Sequence, residues 1–179
     1  MTGRSLGGRQ TAAIGFLVIV LGASTEACGR AWERFEYPDC GFSVELPERP
    51  EEAFEALETP FGVLKVHVYY AGANSTVGDA LRGGDFFLVY CAEGARSGGS
   101  DVLPYLERKV TGTLRGSIAQ RSTIADGDYK GVELTIDGRS TKYRVRILEA
   151  SGRVYALVAD NSFLGRLAAN AFLTSIRPI

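Results

Sequence analysis

The sequence predicts an α+β domain in which helices pack on a mostly antiparallel β-sheet. Three observations carry this prediction. Short runs of alternating polar and apolar residues open the domain, and four more such runs follow in its second half, separated by small glycine-containing turns. Two longer segments instead repeat apolar residues at helical spacing, one between the groups of strands and one near the C terminus. This segment order is typical of helices that cover an antiparallel sheet.

The first part of the domain contains a predicted strand and a predicted hairpin. Residues 42–47 alternate and end at a proline, which indicates a strand. Residues 51–58 are ambiguous, because their Glu and Ala content favours helix while their alternation favours strand. Residues 62–70 alternate strictly, and the Thr-Pro-Phe-Gly sequence before them indicates a turn, so we expect a hairpin across residues 59–62.

The sequence of the middle of the chain predicts one central strand and one helix. Residues 86–91 are apolar on both faces, which indicates a strand covered on both sides. We expect loops on either side of it, over residues 71–84 and 94–100. Apolar residues then recur every four positions over residues 101–116, which predicts a helix with Pro104 in its first turn.

The second half predicts a meander and a closing helix. The expected strands cover residues 119–124, 131–136, 143–149 and 153–159. A helix follows over residues 163–175. Its predicted apolar side consists of Leu164, Leu167, Ala168, Ala171 and Phe172.

The N-terminal segment has the composition of a secretory signal peptide. Arg4 and Arg9 precede an uncharged run over residues 11–23, and small residues follow that run. The run is shorter than the ~20 residues that a membrane-spanning helix needs. We therefore predict a signal peptide over residues 1–27, a tether over residues 28–40 and one domain over residues 41–179. Trp32, Phe35 and Tyr37 of the tether are expected to pack on the domain.

The fate of Cys28 has three alternatives. Cys28-Gly29 lies where a bacterial lipoprotein carries its lipidated cysteine, but Thr25 and Glu26 fit the preceding positions poorly. The other two alternatives are ordinary cleavage between residues 23 and 27 and retention of the segment as an anchor. We expect an exported protein that is periplasmic, envelope-anchored or secreted, with contact to the membrane only through this N terminus.

The remaining cysteines, Cys40 and Cys91, are candidates for a disulfide. If Cys28 is acylated, they form an even pair in an oxidising compartment. If Cys28 keeps its thiol, the count is odd and the pairing is ambiguous. Two small apolar thiols without a bond are the structural alternative.

Composition excludes several classes of function. Removing residues 1–27 leaves 152 residues with a net charge of −2, which does not favour nucleic acid or an anionic membrane surface as a partner. The hydrophobic content of 45% excludes wholesale disorder. One domain of this length buries about two-thirds of its unfolded surface.

No catalytic or metal site is evident from the residues. A hydrolase would have to use His67, the single histidine, which we expect to be an exposed residue on a sheet face. No cysteine pair has the spacing of a zinc site. The Asp- and Gly-rich segment over residues 126–137 resembles a calcium loop, but Lys130 replaces an oxygen ligand and Asp137 replaces the bidentate glutamate. We predict no cofactor and no metal.

One strand carries a basic stripe. Lys142, Arg144 and Arg146 share a strand face, and Glu133 and Asp137 lie on its expected hairpin neighbour. These charges are interpreted either as a solvated, mutually paired face or as a docking patch for an acidic partner.

Several strand and turn motifs together resemble the PsbP-like superfamily. They are FSVELP at 42–47, TPFG at 59–62, FLVY at 87–90, YKGVEL at 129–134, RVRI at 144–147, RVYAL at 153–157 and AFLTSI at 171–176. The superfamily is an α/β/α sandwich found in photosystem accessory proteins and DcrB-type bacterial lipoproteins, and the chain is most similar to exported members of bacteria such as planctomycetes. There the meander often has Tyr-Pro-Gly-Arg-Glu where this chain has Tyr-Lys-Gly-Val-Glu.

This resemblance implies an accessory or binding role and brings no catalytic residues with it. Together with the signal segment, it predicts an exported, envelope-associated, non-catalytic domain that engages an envelope protein partner. The alternatives are a hydrolase that uses His67 and a purely structural lipoprotein.

Overall fold

A computed structural model of the chain describes residues 31–72, 86–92, 101–127, 129–139, 141–161 and 166–179. Within these ranges, ten strands and two helices confirm the predicted α+β class. The strands are β1 (Glu33–Tyr37), β2 (Phe42–Leu46), β3 (Glu51–Thr59), β4 (Gly62–Gly72), β5 (Phe86–Ala92), β6 (Ser117–Asp126), β7 (Tyr129–Asp137), β8 (Lys142–Ala150), β9 (Arg153–Asp160) and β10 (Arg177–Pro178). The helices are α1 (Leu103–Thr113) and α2 (Arg166–Ser175).

Seven of these strands form the main sheet, in the order β3-β4-β5-β9-β8-β7-β6. All neighbouring strands in it are antiparallel. Strand β5 lies between β4 and β9, and all seven of its residues are buried. This confirms the prediction of a central strand that is covered on both faces, and it leaves β3 and β6 as the two edges.

Helix α1 covers one face of the main sheet, here called the α1 face. The apolar residues Val102, Leu106, Val110 and Leu114 are all buried, as their four-residue spacing predicts. They pack against β-branched and leucine side chains of the sheet. The sheet residues at the centre of this cluster are Val66, Val68, Leu88, Tyr90, Leu134, Ile136, Val145, Ile147, Val154, Ala156 and Val158.

The other face, here called the α2 face, is covered by helix α2 and by a small three-stranded sheet in the order β1-β2-β10. Its core is more aromatic. The ring centroid of Phe42 lies 5.4 Å from that of Tyr155, and the centroid of Phe87 lies 5.1 Å from that of Phe172. The domain is therefore a sandwich with cover on both faces of the main sheet.

Strand β1 corrects the prediction that residues 28–40 are a tether. It pairs with β2 over five residues, and the ring centroids of Trp32 and Phe87 lie 5.2 Å apart. The aromatic side chains Trp32, Phe35 and Tyr37 pack against the core of the α2 face. These aromatic residues pack on the domain, as expected, and the segment that carries them is a strand of the domain.

Strand β3 resolves the ambiguity of residues 51–58. It pairs with β4 in nine consecutive positions, from Glu51 opposite Tyr70 to Thr59 opposite Gly62. Pairing with a neighbouring strand outweighs the helix preference of its Glu and Ala residues, since that preference amounts to only tenths of a kcal/mol per residue. The predicted hairpin is confirmed.

Helix α2 is confirmed, and its predicted apolar side is correct in part. Phe172 is fully buried and Ala168 packs against the core, but Leu167 and Ala171 are exposed, and Leu164 lies outside the described residues. The buried stripe is Ala169, Phe172, Leu173 and Ile176, which is rotated from the predicted one around the helix axis. The position of α2 over the main sheet decides between them.

The predicted loop over residues 94–100 lies outside the described residues, as does the loop over residues 71–84 except for Ala71 and Gly72, which extend β4.

Candidate functional site

The only histidine of the chain lies in a buried polar cluster. His67 is 5% exposed, which corrects the expectation of an exposed sheet residue. Its Nδ1 atom lies 3.0 Å from Oε1 of Glu52 on β3 and 3.4 Å from the Tyr69 hydroxyl. The ring of Phe54 covers it, with centroids 4.6 Å apart. The Phe54 ring therefore shields His67 from solvent. The alternating pattern of strand β4 contains no information about this ring on the neighbouring strand.

The groups around His67 are poorly suited to nucleophilic chemistry. Cys91 is opposite His67 in the β4–β5 register, but its sulfur is bonded to Cys40 and is not a free thiol. Burial, followed by the negative charge of Glu52, raises the pKa of Tyr69 well above its usual value. The same two causes raise the pKa of Tyr37. Both phenols therefore stay protonated at neutral pH and are not activated as bases.

The predicted disulfide between Cys40 and Cys91 is present. The two Cα atoms are 6.2 Å apart, and both residues are fully buried. Cys40 lies between β1 and β2, and Cys91 lies in β5, so the bond joins the small sheet to the centre of the main sheet. The Tyr155 hydroxyl donates a 3.0 Å hydrogen bond to the Cys40 carbonyl and reinforces the same junction.

The predicted basic stripe lies on the α2 face of β8, where two of its residues share one carboxylate. Arg144 and Arg146 donate to the two oxygens of Glu133 at 2.5 and 2.8 Å. Arg144 also contacts Asn170 of α2, and Arg146 donates to the Leu173 carbonyl. The two arginines therefore connect the sheet to the helix.

Lys142, the third residue of the stripe, is more open. Its side chain is 64% exposed, and its Nζ atom lies 3.1 Å from Asp137. These pairs match the paired face that the sequence indicated. A docking role for Lys142, Arg144 and Arg146 stays a prediction.

The pKa of Glu133 is lowered by its two arginine partners. Partial burial alone would raise it, but the hydrogen bonds and positive charges of Arg144 and Arg146 outweigh burial, so the pKa lies below its usual value of 4.5. Glu133 is therefore ionised throughout the neutral range, and it neutralises much of the charge that an acidic partner would meet here.

The β3–β4 hairpin carries the most exposed group of apolar side chains among the described strands. Phe54, Phe61 and Val63 are 56%, 59% and 69% exposed, and we call these three residues the hairpin surface. Phe54 and Val63 point to the α2 face, and the Lys65 Nζ atom lies 4.1 Å from the centre of the Phe54 ring. All three lie on one hairpin, and several large apolar side chains exposed on one element are typical of a protein-binding site.

Two of the four glutamates of β3 share a face with the hairpin surface. Glu52 and Glu58 point to the α2 face, as Lys65 does, whereas Glu51 and Glu55 point to the α1 face. The hairpin is predicted by the sequence, but its exposed surface is not. A signal was present, because Phe54 interrupts an acidic strand, and Phe61 and Val63 flank the turn glycine.

The described residues hold no group of three or more His, Cys, Asp or Glu side chains that fits a metal ion. The turn that faintly resembled a calcium loop joins two strands, β6 and β7, rather than two helices. Within the same part of the chain, neither helix is long and apolar enough to cross a membrane.

Similarity to known proteins is found among solved structures. No family model matches the chain, and no curated protein matches it. Among solved structures, the chain is similar to the solution structure of cyanobacterial PsbP (CyanoP) from Synechocystis sp. PCC 6803, with a TM-score of 0.47 and 10% sequence identity. The match covers 89% of this chain and 99% of that one.

Proposed function

We propose that the chain is an exported, envelope-associated domain without catalytic activity that binds a protein partner through the hairpin surface. The observation that carries this proposal is the exposure of Phe54, Phe61 and Val63 on one hairpin. Exposing three large apolar side chains together brings no gain in folding, whereas burying them against a partner stabilises a complex by about 25 cal/mol per Å².

The partner that fits this surface has apolar side chains bordered by cations. Glu52 and Glu58 lie on the same face as Phe54 and Val63, and the one cation there, Lys65, lies against the Phe54 ring. A rim of one charge sign speeds encounter with a partner of the opposite sign and disfavours partners of the same sign. Two copies of this edge would also repel each other, so the surface favours a different protein over a second copy of the chain.

Site-specific photo-crosslinking in the intact envelope of the host tests the proposal. A photoreactive amino acid at position 61 is expected to give one crosslinked product of defined mass. The matched control places it at position 167, since Leu167 is an equally apolar residue that is 83% exposed on helix α2. A Phe54→Ser substitution should weaken the product at position 61 by removing another contact with the same partner.

Identical crosslinking from positions 61 and 167 would contradict the proposed surface. Absence of any product from either position would favour the purely structural lipoprotein. The hydrolase alternative loses its cysteine nucleophile, because the cysteine beside His67 is in the disulfide.

Export and anchoring are part of the proposal and are tested separately. The intact mass of the native protein, measured without reductant, is expected to lack residues 1–27 and two hydrogens of the Cys40–Cys91 bond. Acyl groups on an N-terminal Cys28 would identify a tethered lipoprotein. An unmodified start between residues 24 and 28 would identify a free periplasmic or secreted protein, and an intact N terminus would identify a retained anchor.

A further inference from the structure

A trough of about 500 Å³ lies beside helix α1, on the outer side of that helix from the core of the α1 face. It runs from Glu107 in the middle of α1 past the end of the helix to Ile118 at the start of β6. Strand β6 is the edge of the main sheet opposite to β3. The trough is therefore remote in the strand order from the hairpin surface.

Two arginines give the trough a positive charge. Arg108 and Arg115 are exposed, and neither forms an ion pair with any carboxylate in the described ranges. Arg108 contacts the Tyr105 ring, with its guanidinium carbon 5.6 Å from the ring centroid. The one acid in the lining, Glu107, is already bound by Arg121 at 3.3 Å. The trough thus differs from the β8 stripe, where Glu133 occupies the arginines.

The shape of the trough comes from Gly112. Gly112 lies one turn after Arg108 on α1, and Arg115 follows the end of the helix, so Gly112 and its neighbour Thr111 line the trough between the two arginines. A Cβ atom at Gly112 would meet nothing within 4 Å, which leaves the space open. Ile118, 39% exposed, supplies an apolar wall.

The backbone at the end of α1 directs Arg115 to this position. Arg115 adopts φ 47°, a left-handed conformation in which glycine is favoured. The arginine could not stand one residue later, at Gly116. A Cβ atom there would lie 2.6 Å from Ile136 Cγ2 and 2.7 Å from the Asp137 carbonyl oxygen. An arginine is thus held at a position that disfavours it, and its side chain lines the trough.

We propose that this trough binds an extended acidic segment of a protein, which goes beyond the function proposed above and uses a separate surface. Carboxylates of the segment pair with Arg108 and Arg115, and an apolar side chain lies between them over Gly112 and against Ile118. Two separated guanidiniums with an apolar wall fit isolated carboxylates. They do not fit the continuous charge of a nucleic acid, which requires a larger basic surface.

Fluorescence anisotropy with the full chain tests this site. The probe is a short fluorescein-labelled peptide in which glutamate alternates with valine. The double variant Arg108→Gln/Arg115→Gln is expected to weaken binding about tenfold or more, because it removes two charge-assisted pairs. Gly112→Gln is expected to weaken it similarly by filling the trough. Gln is a better helix former than Gly, so this variant keeps its circular dichroism spectrum and melting temperature.

Two controls make the outcome decisive. Lys142→Gln should leave the affinity unchanged, whereas an equal loss in that variant would move the acidic partner to the β8 stripe and overturn the proposal. A peptide of the same charge without valine should bind more weakly. If wild-type protein does not bind the glutamate–valine peptide, or if Gly112→Gln and the double arginine variant bind it as wild type does, the trough is not an acidic-segment site.

Discussion

Helix α1 lies on an aliphatic face of the main sheet, whereas helix α2 lies on a face held by aromatic rings, a disulfide and ion pairs. On the α1 face, buried valine, leucine and isoleucine contacts hold the helix, and ion pairs with Glu55 of β3 and Arg121 of β6 join it to the two sheet edges. On the α2 face, the small sheet is joined by the Cys40–Cys91 bond, and α2 is joined by Arg144 and Arg146.

The two faces also differ in which arginines are paired. The arginines of the α2 face are engaged in holding a helix and a sheet together, so little of their charge is left for a partner. On α1, Glu107 and Lys109 pair with the two edge strands of the sheet, whereas Arg108 and Arg115 remain unpaired on its outer surface within the described chain. Charge that is not required for the fold is a better indication of binding than charge density in the sequence.

The largest expected effect tests the covalent part of the α2 face. Changing both Cys40 and Cys91 to Ala is expected to lower the free energy of unfolding by about 4 kcal/mol, because the bond closes a long loop of the unfolded chain. The two cysteines are 51 residues apart in the sequence. Urea denaturation of the oxidised wild type and of the double variant measures the loss. A loss below 1 kcal/mol would show that the aromatic contacts alone hold the small sheet.

A smaller effect is expected from the aliphatic face. Leu106→Ala should lower the free energy of unfolding by about 3 kcal/mol, since Leu106 is fully buried and its removal leaves a cavity. Leu167→Ala, the same change at a residue that is 83% exposed, should change it by less than about 0.5 kcal/mol. Thermal unfolding of both variants checks the pair, and similar losses would mean that α1 does not pack as described.

The smallest of the three effects concerns the ion pairs. Glu133→Gln should lower the free energy of unfolding by about 1–2 kcal/mol at pH 7, because Arg144 and Arg146 lose a charged acceptor. The folded pKa of Glu133 lies below its usual 4.5, so the stabilisation is complete above that value and is lost as the pH falls through the lowered one. The difference between wild type and variant should therefore shrink at pH 3.

Denaturation at pH 7 and pH 3 measures this dependence on pH. Glu58→Gln, at an exposed position of β3, serves as the control and should have little effect at either pH. A pH-independent loss in Glu133→Gln would attribute the effect to packing instead of charge.

Local patterns were sufficient to predict most of the elements. The alternation of residues 62–70, the doubly apolar run in β5 and the four-residue spacing in α1 each report burial along one element, and each was confirmed. The predictions failed where burial depends on another part of the chain. Strand β1 forms because β2 pairs with it, and His67 is buried because Phe54 covers it.

The candidate sites divide in the same way. The sequence showed the basic stripe at Lys142, Arg144 and Arg146 and its partner Glu133, because strands of one hairpin are related by register. It did not show the trough at Arg108 and Arg115, although their seven-residue spacing around Gly112 was a signal. Whether a charge is paired depends on which distant carboxylate reaches it, and no local pattern contains that information.

By itself, the sequence determined the α+β class, the hairpins, the two helices and the pairing of Cys40 with Cys91 as one of its alternatives. These follow from periodicity and from turn residues, which act between near neighbours in the chain. Only the tertiary structure decided which face of α2 is buried, that residues 33–37 belong to a sheet and which charges are left unpaired. Those features depend on contacts between residues far apart in the chain, and such contacts form only when the layers of the sandwich pack together.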